Sequence, residues 1–294
     1  MQKMCPAIRG VLIDLSGTVH VGDKAIPGAV EALARLRQSG IPFLFCTNTT
    51  QSSGETLASK LRGLGFNVKR DEIFTSLSAC RQLVSSRGLR PLLLFEPDAI
   101  QEFEGIPLSE PHDSVVVGLS PSSFHYDMLD KAFRILVQSN SKPASLIAVH
   151  KAKYFASEPG QLSMGPGGFV EALEFASGVK AHVVGKPQKA FFELAIEKLN
   201  IASPSTSTTT AAAASKESSQ SRDPTTQSIV MIGDDVEQDL GGGAAELGLT
   251  RFLVRTGKYR ARDEDRDVFG GLDGTFADFP AAVDHILASS HQQQ

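Results

Sequence analysis

The chain is poor in cysteine: Cys5, Cys46 and Cys80 are the three among 294 residues, an odd number with no Cys-x-x-Cys pair. That excludes a disulfide framework and a cysteine zinc site, and it fits a reducing, cytoplasmic compartment. Long apolar runs are also missing. No stretch approaches the roughly 20 apolar residues of a membrane span, and the N-terminus lacks the charged-then-apolar layout of a signal peptide. Positive charge is not in excess either. With 29 Lys and Arg against 33 Asp and Glu, the formal charge is −4, and there is no basic run or aromatic-interleaved basic stripe. Neither nucleic acid nor a membrane surface is therefore an expected partner. Three nucleotide and hydrolase signatures are absent as well: the Gly-x-Gly-x-x-Gly turn, the Lys-Ser/Thr phosphate loop and the nucleophile elbow.

What remains is an ordinary globular composition, 41% hydrophobic and 21% charged, in a chain longer than a usual single domain. The run Ile8 to Ile13 is too uniformly apolar for a half-exposed strand and reads as the buried centre of a parallel sheet. Asp14 stands at its carboxyl end, where open α/β sheets place their ligand crevice, and Ser16 and Gly17 follow. Such a carboxylate can attack phosphorus, hold a metal, do both, or simply cap a turn. Pro27 and Gly28 open a helix that Gly40 ends, and a second buried strand, Pro42 to Cys46, leads into Thr47 and Asn48.

The alternation restarts after Arg90, with strands expected near 92–95, 115–117 and 146–149 and a helix over 124–137. These patterns predict an α/β protein: a doubly wound, Rossmann-like parallel sheet (1–77 and 180–294) with a smaller α/β domain inserted at 78–179. Residues 202–227 are dominated by Ser, Thr and Ala without apolar periodicity, the composition of a disordered insertion. Later strands end at Gly185–Lys186–Pro187 and at Gly233–Asp234–Asp235, the second followed by a helix expected to include Asp239, Ala244 and Leu247.

Four strand ends thus carry polar groups: Asp14, Thr47 with Asn48, Lys186, and Asp234 with Asp235. In one parallel sheet with its strands in the usual order they converge on one edge. Together they offer a carboxylate nucleophile, hydroxyl and amide donors, a fixed cation, and hard oxygen ligands that suit magnesium. Phosphoryl transfer needs mainly this, alignment plus neutralisation of spread negative charge.

Asp14–Leu15–Ser16–Gly17–Thr18, Thr47–Asn48, Gly185–Lys186–Pro187 and Gly233–Asp234–Asp235 with Asp239 resemble the four ordered motifs of the haloacid dehalogenase-like hydrolases. The insertion resembles the α/β cap of the subgroup holding NagD, p-nitrophenyl phosphatases and pyridoxal phosphatase. The resemblance implies a magnesium-dependent phosphatase acting on small phosphorylated substrates. Asp14 would be the nucleophile that forms an aspartyl-phosphate. Asp14, the Ser16 carbonyl and Asp234 would bind the metal, and Thr47, Asn48 and Lys186 would hold the phosphoryl group. Asp235 and Asp239 would orient Lys186 or metal-bound water. It also implies a homodimer through the cap.

One departure stands out. Most phosphatases of the family carry an aspartate at the position of Ser16, where it protonates the leaving oxygen. A serine hydroxyl does this poorly near neutral pH, and general acid–base help is worth about 10²–10⁴ in rate. The expectation is a bias toward good leaving groups: aryl phosphates, pyrophosphate and nitrogen-linked phosphates. His20, His125 and His150 are the histidines that can stand in for the acid. The alternative is a catalytically weak, phosphatase-like binding or scaffold protein.

Overall fold

A computed structural model describes residues 8–138, 144–158, 161–199, 224–266 and 269–291. Most of the expected disordered insertion, 202–223, lies outside the described residues, while its last four, Pro224–Gln227, form a short helix. The chain divides into two compact units, one of Met1–Val21, Ala25–Leu44 and Phe192–Gln294, the other of Gly22–Lys24 and Phe45–Phe191. The boundaries expected at 77/78 and 179/180 both fall within the second unit.

In the first unit the strand Gly10–Ile13 pairs in parallel with Ile229–Gly233, which pairs with Thr250–Val254, which in turn pairs with Gly274–Phe276. Register is plain, with Val11 beside Val230 and Ile13 beside Ile232. Val11, Leu12 and Ile13 are fully buried, as the uniformly apolar run required. Burying each such side chain is worth roughly 1.5–3 kcal/mol. Helix Ala29–Gln38 begins at Gly28, whose φ of 75° only glycine adopts readily, and turns Ala29, Ala32, Leu33 and Leu36 inward. It packs on helix Phe279–His291, with Arg35 bonded to Asp284 at 2.7 Å.

In the second unit Phe45–Thr47, the end of the strand Phe43–Thr47, pairs in parallel with Ile73–Thr75. A separate parallel sheet runs in the order His182–Val183, Ser145–Ala148, Ser114–Val117, Pro91–Leu94. Its side chains Leu94, Val115, Val117 and Leu146 share a core with Ala132 and Leu136 of helix Tyr126–Val137 and with Val170 and Leu173 of helix Gly167–Ser177.

The α/β class with parallel sheets is therefore what the sequence predicts. Two elements differ. The strand leading to Lys186 joins Ser145–Ala148 rather than the sheet that holds Asp14. The helix after Asp235 is confined to Gly242–Glu246, so Asp239 stands in the turn before it. Gly241 to Gly243 are poor helix formers, and Asp239 Oδ2 accepts the Asp235 N–H at 3.2 Å, which favours the turn over a longer helix. Among the described residues no helix is long and apolar enough to cross a membrane.

Candidate active site

Asp14 is set at the strand end by its own backbone, whose N–H donates to the Ile232 carbonyl at 2.9 Å. Its carboxylate accepts from Thr18 Oγ1 at 3.3 Å and is 6% exposed. The adjacent strand Ile229–Gly233 ends the same way, and Asp234 follows it. One carboxylate oxygen from each of Asp14, Asp234 and Asp239 lies within 4.8 Å of the other two, and all three residues are buried. Gly17 makes this approach feasible: its φ is 98°, and a Cβ there would overlap the Asp234 carboxylate. Ser16, by contrast, is exposed.

A loop to which the sequence patterns give no role closes the cluster. After the strand Thr250–Val254, Thr256 Oγ1 donates to the Gly17 carbonyl and the Lys258 N–H donates to Asp234 Oδ2 at 2.6 Å. Gly257 sits between them at φ 58°, where any Cβ would overlap both Asp234 and the Gly17 backbone. The Lys258 ammonium reaches Asp235 Oδ2 at 3.4 Å. Asp235 Oδ1 also accepts from the Glu237 and Gln238 N–H groups, and its own N–H is held by Asp239. The strand-end logic that selects Asp14 applies equally to Thr250–Val254, and it is the signal that would have found Lys258.

Burial, reinforced by repulsion from Asp14 and Asp239, pushes the Asp234 carboxyl well above the ordinary carboxylate range, with Lys258 opposing the rise. Two unit charges 4–5 Å apart repel by roughly 3–4 kcal/mol at an effective dielectric of about 20. Asp234 Oδ1 is buried without a hydrogen-bond partner. An unpartnered buried carboxylate oxygen amid two further carboxylates fits a hard divalent cation, which would satisfy the oxygen and cancel the repulsion.

The other candidates lie in the second unit. Asn48 grips Lys186 by its backbone, donating from Nδ2 to the Lys186 carbonyl at 2.9 Å and accepting the Lys186 N–H on Oδ1 at 3.0 Å. The Lys186 ammonium, buried with the rest of its residue, donates to the Cys46 carbonyl at 2.9 Å. Thr47 Oγ1 is 2.9 Å from Thr49 Oγ1. The structure therefore brings together Asp14, Asp234 and Asp239 in one unit and Asn48 with Lys186 in the other. His150 Nδ1 accepts the Ala152 N–H at 3.3 Å, which assigns the ring proton to Nε2, 3.4 Å from Thr50 Oγ1.

Comparison with known proteins supplies the family. Residues 11–107 match a family model described as haloacid dehalogenase-like hydrolase, and residues 183–274 match one described as "HAD-hyrolase-like". The chain is 45% identical over 281 residues to haloacid dehalogenase-like hydrolase domain-containing protein 2 of Bos taurus, covering 96% of each. The chain is a haloacid dehalogenase-like hydrolase. It is also 35% identical to phospholysine phosphohistidine inorganic pyrophosphate phosphatase of Xenopus laevis, over the full length of both. Its fold matches that of 4-nitrophenylphosphatase from Thermotoga maritima with a TM-score of 0.79 at 23% identity, covering 95% of this chain and 98% of that one. This hydrolase thus has the fold of the NagD and p-nitrophenyl phosphatase subgroup expected from its motifs.

The strained carboxylates of this hydrolase have a measurable consequence. A carboxyl whose folded pKa is raised costs stability as pH climbs from the ordinary carboxyl range toward the raised value, because the folded state then holds the extra proton. In EDTA at pH 7, Asp234→Asn is expected to melt higher than the wild type, by roughly 5 °C, and the gap should close near pH 4. Thermal unfolding across that pH range checks this; equal melting temperatures at pH 7 would contradict it.

Proposed function

We propose that this hydrolase is a magnesium-dependent phosphatase that works through an aspartyl-phosphate on Asp14. The observation carrying the reading is the buried trio Asp14, Asp234 and Asp239 with its unpartnered Asp234 oxygen, in a chain of this family. Asp14, the Ser16 carbonyl and Asp234 would hold magnesium, with Asp239 alongside. The ion supplies charge neutralisation for a phosphoryl group. A carboxylate oxygen of Asp14 attacks phosphorus, and the bond to the leaving oxygen or nitrogen breaks, its electron pair going to the leaving group. Water then attacks the same phosphorus, inorganic phosphate leaves, and the Asp14 carboxylate is restored.

Thr47, Asn48 and Lys186 are assigned to the phosphoryl oxygens, and Asp235 with Asp239 to orienting neighbouring groups. The Asn48 clasp supports the role of Lys186, because it fixes the lysine backbone on both its N–H and its carbonyl and so holds the buried ammonium in place. Substrate choice is assigned to the inserted segment 78–179, and a homodimer through that segment accompanies the reading. The substrates proposed are small phosphorylated compounds with good leaving groups, in keeping with Ser16. Relatives named as acting on phospholysine, phosphohistidine and pyrophosphate, or on 4-nitrophenyl phosphate, support that class.

The experiment is a series of aryl and alkyl phosphates at neutral pH with magnesium. The logarithm of the rate should fall steeply as the leaving-group pKa rises, and a flat plot would overturn the bias. Ser16 is also the observation that favours a second reading, a phosphatase-like binding protein. Failure to release phosphate from every member of the series, by folded protein that still binds phosphate, would favour that reading instead.

A further inference from the structure

Lys258 is not among the groups that phosphoryl transfer requires, yet its hydrogen bonds run to the acidic loop. Its backbone N–H holds Asp234 and its ammonium meets Asp235. Although the side chain is 62% exposed, its ammonium end is partly desolvated. That desolvation works against the charge, but Asp239, Asp234, Asp14 and Asp235 outweigh it and hold the lysine above its ordinary pKa. The loop also has little freedom to carry the charge away. Thr256 is bonded to the Gly17 carbonyl, and Gly257 packs where no side chain fits.

We propose that the Lys258 ammonium is a built-in counter-cation for the Asp14–Asp234–Asp239 cluster. It steadies the carboxylates in the metal-free protein and, by occupying the same negative field, sets how tightly a divalent ion binds. The first half of the proposal stands on the carboxylates alone; the second rests on reading them as a metal site.

The test uses the full chain with Lys258→Met and Lys258→Arg. The Met variant removes the charge but keeps the backbone N–H on Asp234, so the loop's purely structural work is retained. In EDTA, Lys258→Met should melt below the wild type and Lys258→Arg alongside it. Magnesium titrated calorimetrically should bind Lys258→Met on the order of tenfold more tightly, and Lys258→Arg as the wild type. An unchanged metal-free melting temperature in Lys258→Met overturns the proposal. So does an unchanged or weakened magnesium affinity where the wild type binds the ion. Should the wild type bind no magnesium, the metal-site reading fails by itself. Metal-free melting of the two variants then still decides whether Lys258 compensates the cluster.

Discussion

Asp14→Asn is expected to lower magnesium-dependent hydrolysis of p-nitrophenyl phosphate by at least about 10⁴-fold, because it removes the nucleophile and not merely a binding contact. The substitution is nearly isosteric, and its amide oxygen can still accept from Thr18 Oγ1, so the turn after Gly10–Ile13 should survive. It also takes one negative charge from a crowded trio, so the metal-free variant should unfold no earlier than the wild type. A folded protein without turnover is thus the expected pair of results, read by phosphate release and thermal unfolding on one preparation. Trapping with radiolabelled phosphate after acid quench should label the wild type and not the variant. Activity within tenfold of wild type would remove Asp14 from the role of nucleophile and redirect attention to a direct attack by water.

The second large effect is a gain. Ser16→Asp is expected to raise turnover of alkyl phosphates by about 10²-fold or more, while aryl phosphates change little. A poor leaving group needs a proton as its bond breaks; a nitrophenolate does not. A serine hydroxyl holds its proton too tightly to give it up near neutral pH, whereas a carboxyl in a site of this kind can be tuned to share one. Ser16 is exposed, so the larger side chain meets no packing barrier, and metal binding through its backbone carbonyl does not depend on the side chain. The ratio of aryl to alkyl rates is the quantity to measure. An unaltered ratio would mean that another group already serves as the acid.

Much of this was legible in the chain because buried parallel strands are short, uniformly apolar and punctuated by polar ends. Gly10–Ile13, Phe43–Thr47, Ile229–Gly233 and the Phe252–Val254 part of Thr250–Val254 read that way, and Asp14 and Asp234 stand where the pattern puts them. Gly274–Phe276 was missed because three half-buried residues carry no period. The strand before Lys186 was recognised but given to the wrong sheet. Two residues, His182 and Val183, say nothing about which neighbour they pair with; they join Ser145–Ala148, next to Ala181, whose N–H donates to Glu174 at 2.8 Å. Asp239 stands in a turn rather than on the expected helix, because Gly241 to Gly243 after it are poor helix formers. Lys258 escaped because a lone lysine in a loop is ordinarily a solvated one; only the approach of Gly17, Gly257 and Asp234 distinguishes it.

The bond between Thr256 and Gly17 spans 239 positions, and the strand Gly10–Ile13 waits for Ile229–Gly233 as its neighbour. A ribosome adding about 5–20 residues per second needs more than ten seconds to cover that distance. Through that interval Pro42 already accepts the Val11 N–H on one edge of the apolar strand, but its other edge and the acid beside it stand open, with the segment that covers them still unmade. Early chaperone capture of the N-terminal part is the natural corollary, and chains halted before Lys258 should be aggregation-prone and inert.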